Sequence, residues 1–233
     1  RHPERGWQFR PDEDGCTPDT LFGSTYVREI YERVGSTEKS VPVLYDRETK
    51  TIVSNESAEI VRMFNDSFGS HATRDLDLYP QDKRAEIDEL NAWIYTDINN
   101  GAYKAGFASD QGAYEEGYRR LFAAFDRLDH LLRDRPFLTG DGLTEADVRL
   151  FPTVFRFDHV YYTRFRLNHK MVREYPYLHR WLREMFHYPG VAEASNLEHC
   201  KRGYFGRNAN EIVPLGPLLL SLPRVIGLGV SVV

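Results

Sequence analysis

The stretch VPVLYDRETKTIVSNESAEIVRMFN, residues 41–65, decides the fold. Its apolar opening, Val41 to Leu44, reads as a strand. Charged residues turn the chain, and Thr51 to Ser54 reads as a second strand. Asn55, Glu56 and Ser57 then open an amphipathic helix. A sheet that ends at a helix N-terminus offers free backbone N–H groups and the positive end of the helix dipole to a small anion. Glu56 beside it suits an ammonium group. A ligand carrying both groups of a free amino acid matches that pair. The same residues admit a plainer reading, in which Asn55 and Ser57 only cap the helix.

Outward from this segment the composition is that of a globular protein: 233 residues, 41% hydrophobic and 28% charged. A net charge of −5 argues against nucleic acid as a partner. No run of 18 apolar residues appears, so no membrane span is predicted. Residues 1–10 are polar and carry no secretory signal. Two cysteines, Cys16 and Cys200, make no disulfide framework, and a cytoplasmic location is expected. The chain opens on Arg1 rather than Met, which gives the expectation that it begins partway into something longer.

Two regions follow. Residues 1–70 carry strand and turn signals, and 68–80 reads as a linker. From Pro80 onward the pattern is helical. Lys83 to Asn99 places Ile87, Leu90, Ile94 and Ile98 three or four apart, and Ala113 to Leu132 repeats that spacing. In PFLTGDGLTEADVRLFPTVFRFD, 136–158, Thr144 and Asp147 form a capping box with Asp in place of Glu or Gln, and Leu143 and Val148 are placed for a hydrophobic staple. The helix behind is apolar on most faces and is expected to be the most buried one. Pro176 starts another helix, which Pro189-Gly190 ends. A bundle of five or more helices is predicted. No HExxH, paired CxxC or carboxylate cluster appears, so no metal site is expected.

A small α/β unit followed by a helical bundle, with LTEAD opening a buried helix, resembles the glutathione transferase architecture. GWQF (6–9), VPVLYD (41–46), IVSNESAEIVRMFN (52–65), NNGAYKAGFA (99–108), LTEADVRLF (143–151) and KRGYFGRN (201–208) sharpen the resemblance to the glutathionyl-hydroquinone reductases, the Xi class. It covers residues 1 to about 217; the apolar tail 218–233 is unlike the family.

The resemblance implies a glutathione transferase fold: residues 1–70 as a partial thioredoxin-like glutathione-binding domain, 80–217 as an all-helical domain. It implies glutathione as co-substrate, quinone-derived small molecules as the other partner, and a homodimer joined through the helical half. Val41 and Pro42 match a cis-proline turn that leaves the Val41 backbone free to pair with glutathione. Glu56 and Ser57 match the residues that hold the γ-glutamyl end, and Trp7 matches a tryptophan of that site. Where the family uses an arginine before the VPVL strand, this chain has Glu38, with Lys39 beside it able to supply charge but no bidentate fork. Tyr103 and Tyr204 match two tyrosines that face the hydroquinone, in a site the resemblance puts between the domains. Phenolic hydroxyls can hydrogen-bond a quinone oxygen and stabilise charge growing on it. Arg156, Asp158, His159, Tyr161 and Tyr162 are also placed to line that cleft but read as mainly structural.

The family's nucleophile is a cysteine in a Cys-Pro-Trp-Ala type motif at a helix N-terminus, where a thiolate is favoured. That motif does not occur in these 233 residues. It is expected ahead of Trp7, together with the first strands of the sheet. Cys16 lies among acidic neighbours, and Cys200 sits beside the quinone-side motif; neither is read as the nucleophile. Two readings therefore remain: a glutathione-dependent reductase, inactive as this polypeptide stands, or a non-catalytic binding or assembly module of the same fold.

Overall fold

The computed structural model describes residues 4–13, 15–72, 76–206 and 212–216. The apolar tail 218–233 lies outside the described residues. The chain divides into two compact units, Arg1–Asp77 and Leu78–Val233.

In the first unit, α1 (Val27–Arg33) buries Val27, Ile30 and Tyr31, the i, i+3, i+4 stripe of an amphipathic helix. It ends in a Schellman motif: Gly35, at φ 74°, donates to the Glu32 carbonyl at 3.1 Å, and Ser36 donates to Tyr31 at 3.0 Å. A hairpin follows. β1 (Leu44–Asp46) pairs antiparallel with β2 (Thr51–Ser54), with Leu44 opposite Ser54, Tyr45 opposite Ile52 and Asp46 opposite Thr51. An irregularity between Leu44 and Tyr45 breaks the register. Asp46 closes the turn by accepting from the Glu48 N–H and the Thr49 hydroxyl, each at 2.8 Å. The first strand thus begins at Leu44 rather than at Val41, where the apolar run starts. Pro42 has no N–H to give a ladder, so Val41 to Val43 stay outside it. Helix α2 (Ser57–Asp66) leaves the hairpin at once.

The second unit is helical. α3 (Arg84–Ile94) runs through a π-helical turn (Tyr95–Asn99) into α4 (Asn100–Gly106). α5 (Gln111–Leu131) starts at Asp110, whose side chain accepts from the Ala113 N–H at 2.9 Å. α6 (Glu145–Arg156) runs through a second π-helical turn (Phe157–Tyr161) into the single turn α7 (Tyr162–Arg164). α8 (Pro176–His187) has proline at its first position, and α9 (Leu197–Phe205) is capped by Asn196.

The core of this unit joins Ile87, Ile94 and Ile98 to Leu121, Phe125 and Leu128, and these to Leu150, Val154 and Phe157 of the α6 segment. α6 buries Ala146, Leu150, Phe151, Thr153, Val154 and Phe155, which gives it the central position its sequence predicts. The capping box forms, with Asp147 accepting from the Thr144 N–H at 3.0 Å. Asp147 also receives the Leu138 N–H at 2.9 Å and the Trp181 indole N–H at 2.8 Å. One fully buried carboxylate thus joins the helix start, the preceding loop and α8. Even so, burial raises its pKa against the pull of those donors.

Candidate functional site

Helix α2 begins at Ser57, with Glu56 as the extended N-cap residue at φ −93° and ψ 115°. No side chain caps it. Asn55 and Ser57 therefore do not spend their polar groups on the helix end, as the plainer sequence reading had it. Ser54, buried at the end of β2, fixes the entry instead. Its hydroxyl donates to the Glu59 carboxylate at 2.7 Å and accepts the Glu56 N–H at 3.0 Å. Asn55 turns the other way and donates to the Ser40 hydroxyl at 3.1 Å. The Tyr31 hydroxyl in turn donates to the Ser40 carbonyl at 3.2 Å. This chain of bonds ties the residue before Val41 to the start of α2.

The Val41–Pro42 peptide bond is cis. Neither the N–H nor the C=O of Val41 takes a hydrogen-bond partner among the described residues. Glu56 and Ser57 are exposed, and so is Lys39. Gly6, at φ 81°, lies against Lys39: a Cβ there would stand 3.4 Å from Lys39 Cβ. That approach brings the backbone beside Trp7, a residue 37% exposed, up to the segment that leads into Val41. Glu38, just before Lys39, uses its N–H on the Ser36 hydroxyl at 3.2 Å.

The second unit gathers three phenols. The Tyr103 hydroxyl lies 3.1 Å from that of Tyr161, and Tyr161 lies 3.2 Å from that of Tyr204. Tyr103 and Tyr204 close the triangle with a third, short hydrogen bond. Tyr103 comes from α4, Tyr161 from the second π-helical turn and Tyr204 from α9. Phe165 stacks parallel on Tyr161, with ring centroids 5.1 Å apart, and meets Tyr103 edge-on at 5.4 Å. Phe107, 69% exposed, forms the outer edge of this aromatic group.

Burial raises the Tyr161 hydroxyl well above the ordinary phenol range, and its two phenol neighbours add to the shift. Tyr204 is pushed up to about 12, first by burial and then by its bond to Tyr103. Both therefore stay protonated near neutrality and can donate. Burial works against the charge on Arg156, but Tyr161 foremost, then Cys200 and Tyr204, together hold the guanidinium above its ordinary value. His159 is buried, and Asp158 accepts the Val172 N–H at 2.6 Å, a structural task.

Tyr161 and Arg156, which the sequence reads as mainly structural, both stand at the cluster. Neither cysteine starts a helix. Cys16 follows a turn and donates its N–H to the Glu13 carbonyl at 3.1 Å. Cys200 lies one turn into α9, with its N–H bonded to Asn196 at 3.1 Å.

Residues 111–184 match the C-terminal domain family of glutathione S-transferases. The chain is 42% identical over 221 residues to glutathionyl-hydroquinone reductase YqjG of Escherichia coli K12, spanning 92% of this chain and 67% of that protein. It is 41% identical to glutathionyl-hydroquinone reductase PcpF of Sphingobium chlorophenolicum, spanning 92% of this chain and 70% of that one. The Xi glutathione-S-transferase from Phanerochaete chrysosporium superposes with a TM-score of 0.89 at 43% identity, covering 94% of this chain and 78% of that one.

The chain belongs to the Xi-class glutathione transferase family.

The glutathione-bound structure of YqjG superposes with a TM-score of 0.87 at 41% identity, covering 92% of this chain and 72% of that one. The two-stranded hairpin leading into α2, and the helical unit built on α6, are this chain's form of the glutathione transferase fold. No helix among the described residues is long and apolar enough to cross a membrane.

Proposed function

We propose that this Xi-class chain serves glutathione-dependent reduction of glutathionyl-hydroquinones to hydroquinones. The cluster of Tyr103, Tyr161 and Tyr204 carries the reading, because three converging phenol hydroxyls offer hydrogen bonds to the oxygens of a quinol. In this reading Glu56 and Ser57 hold the γ-glutamyl end of glutathione, the free Val41 backbone pairs with its cysteinyl part, and Trp7 and Lys39 border it.

The chemistry is thiol exchange. A thiolate attacks the glutathionyl sulfur, and an S–S bond forms as the ring C–S bond breaks. The electron pair of that bond stays on the ring carbon, which takes a proton, so hydroquinone leaves. A second glutathione thiolate then attacks the mixed disulfide and releases glutathione disulfide and the original thiolate. Tyr103 and Tyr204 hydrogen-bond the quinol oxygens and stabilise charge on them while the C–S bond breaks.

The attacking thiolate is neither Cys16 nor Cys200 in this proposal, because neither sits at a helix N-terminus where unpaired N–H groups favour it. The same placement supports the competing reading, a non-catalytic binding or assembly module. In either case the chain is proposed to pair as a homodimer, in a cytoplasm that keeps glutathione reduced.

Hydroquinone release from a glutathionyl-hydroquinone, with glutathione present, tests the proposal. The 233-residue polypeptide is expected to run at the uncatalysed background. A chimera with a Cys-Pro-Trp-Ala thioredoxin half joined ahead of Arg1 is expected to turn over. Robust turnover by the polypeptide alone overturns the assignment of the thiolate, and an inactive but folded chimera favours the binding module.

A further inference from the structure

Two π-helical turns bracket the tyrosine cluster, Tyr95–Asn99 before α4 and Phe157–Tyr161 after α6. A π turn closes i→i+5 bonds and resets the rotation of all that follows it along the helix. The direction of Tyr103, one turn beyond the first, and of Tyr161, the last residue of the second, depends on how these turns are held.

One side chain bridges the two helices. The amide of Asn99 donates to the Arg149 carbonyl at 2.8 Å and to the Thr153 hydroxyl at 3.1 Å. Its two N–H groups are thus both used, which fixes the rotation of the amide plane. The acceptors flank Pro152, the one proline inside α6 among the described residues. Pro152 has no N–H for the i−4 carbonyl and loosens the helix there. Asn99 therefore braces α6 at the carbonyl next to that of Val148, the one Pro152 leaves without its ladder donor. Asn99 lies one turn before Tyr103 in the chain, and Thr153 lies two turns before Tyr161.

We propose that Asn99 is a positioning residue that clamps the two π-bearing helices so that the hydroxyls of Tyr103, Tyr161 and Tyr204 meet. The clamp matters because the triangle has little slack. Two of its sides already stand at 3.1 and 3.2 Å, near the long end of O–H···O bonds, so a relative shift of about 1 Å opens them. The catalytic meaning of the clamp rests on the function proposed above; its structural action does not.

NMR of the full chain carrying tyrosine labelled with ¹³C at Cζ tests this, with Tyr204 assigned through Tyr204→Phe. In the wild type Tyr204, which burial pushes up to about 12, is expected to stay protonated at about pH 10.5, above the ordinary phenol midpoint. In Asn99→Ala the opened cluster admits water, and Tyr204 is expected to ionise at that pH although Asn99 does not touch it. Thr153→Val, which removes only the longer of the two bonds, is expected to shift the Tyr204 signal in the same direction by less. It keeps the test open should Asn99→Ala fail to fold. In the chimera, Asn99→Ala is expected to lower kcat roughly tenfold with the KM for glutathione unchanged. A folded Asn99→Ala chain whose Tyr204 titrates as in the wild type overturns the clamp. The titration reads the cluster whether or not the chimera turns over, so loss of the proposed function and loss of the clamp are told apart.

Discussion

The phenolic oxygens of Tyr103 and Tyr161 stand 3.1 Å apart although 58 residues separate them in the chain. Tyr204 meets both. A site built this way is shared: each hydroxyl is oriented by the other two, and a ligand oxygen that replaces one bond finds donors already aimed. Removing either outer hydroxyl from the chimera, as Tyr103→Phe or Tyr204→Phe, is expected to lower hydroquinone release roughly a hundredfold. Glutathione affinity should stay the same, since these residues belong to the quinol side of the reaction. Unchanged turnover in both variants would sink the assignment of the two tyrosines.

Gly106 sets a steric condition on the same cluster. A Cβ there would come within 2.3 Å of the Phe165 ring, and Phe165 lies flat on Tyr161. The ring is buried. Gly106→Ala is therefore expected to cost about 1–3 kcal/mol by overpacking. Urea unfolding of the two chains should show a lower midpoint with the slope unchanged. An equal midpoint would mean that Phe165 can move freely.

His179, half-buried in α8, has its pKa lowered, first by burial and then by Arg183; Arg173 adds to this and Asp158 opposes it. The folded chain thus prefers the neutral ring. The unfolded chain takes up a proton first as the pH falls through about 6.5, so the contribution of neutral His179 is present above that pH and lost below it. The melting temperature should fall between about pH 7.5 and 5.5 more steeply in the wild type than in His179→Gln. Parallel slopes would contradict the sign argued here.

The fold was legible wherever a local rule acts alone. Thr144 and Asp147 announce the start of α6 because a capping box is defined within four residues, and Pro176 announces α8 for the same reason. The start of β1 was misplaced because the apolar run Val41 to Leu44 signals burial but hides the missing N–H of Pro42. The π-helical turns left no mark, since Ile94 and Ile98 keep a helical spacing and both stay buried through the first of them. Tyr161 reads as mainly structural for a different reason. It is one of 14 tyrosines, and only the meeting of three distant segments sets it apart. Asn55 read as a cap because its type favours that role, whereas its partner, Ser40, lies 15 positions upstream.

Calorimetric titration of glutathione into the 233-residue chain tests the central claim most directly, that residues 41–57 form a seat for this peptide. Ser54, Asn55 and Ser40 leave the Glu56 carboxylate and the Val41 backbone without hydrogen-bond partners among the described residues, ready for an ammonium group and a short strand. The account predicts a single saturable site, weakened at least about tenfold by Glu56→Gln, which removes a charge-assisted hydrogen bond. Absence of saturable binding, or equal affinity in Glu56→Gln, would contradict it.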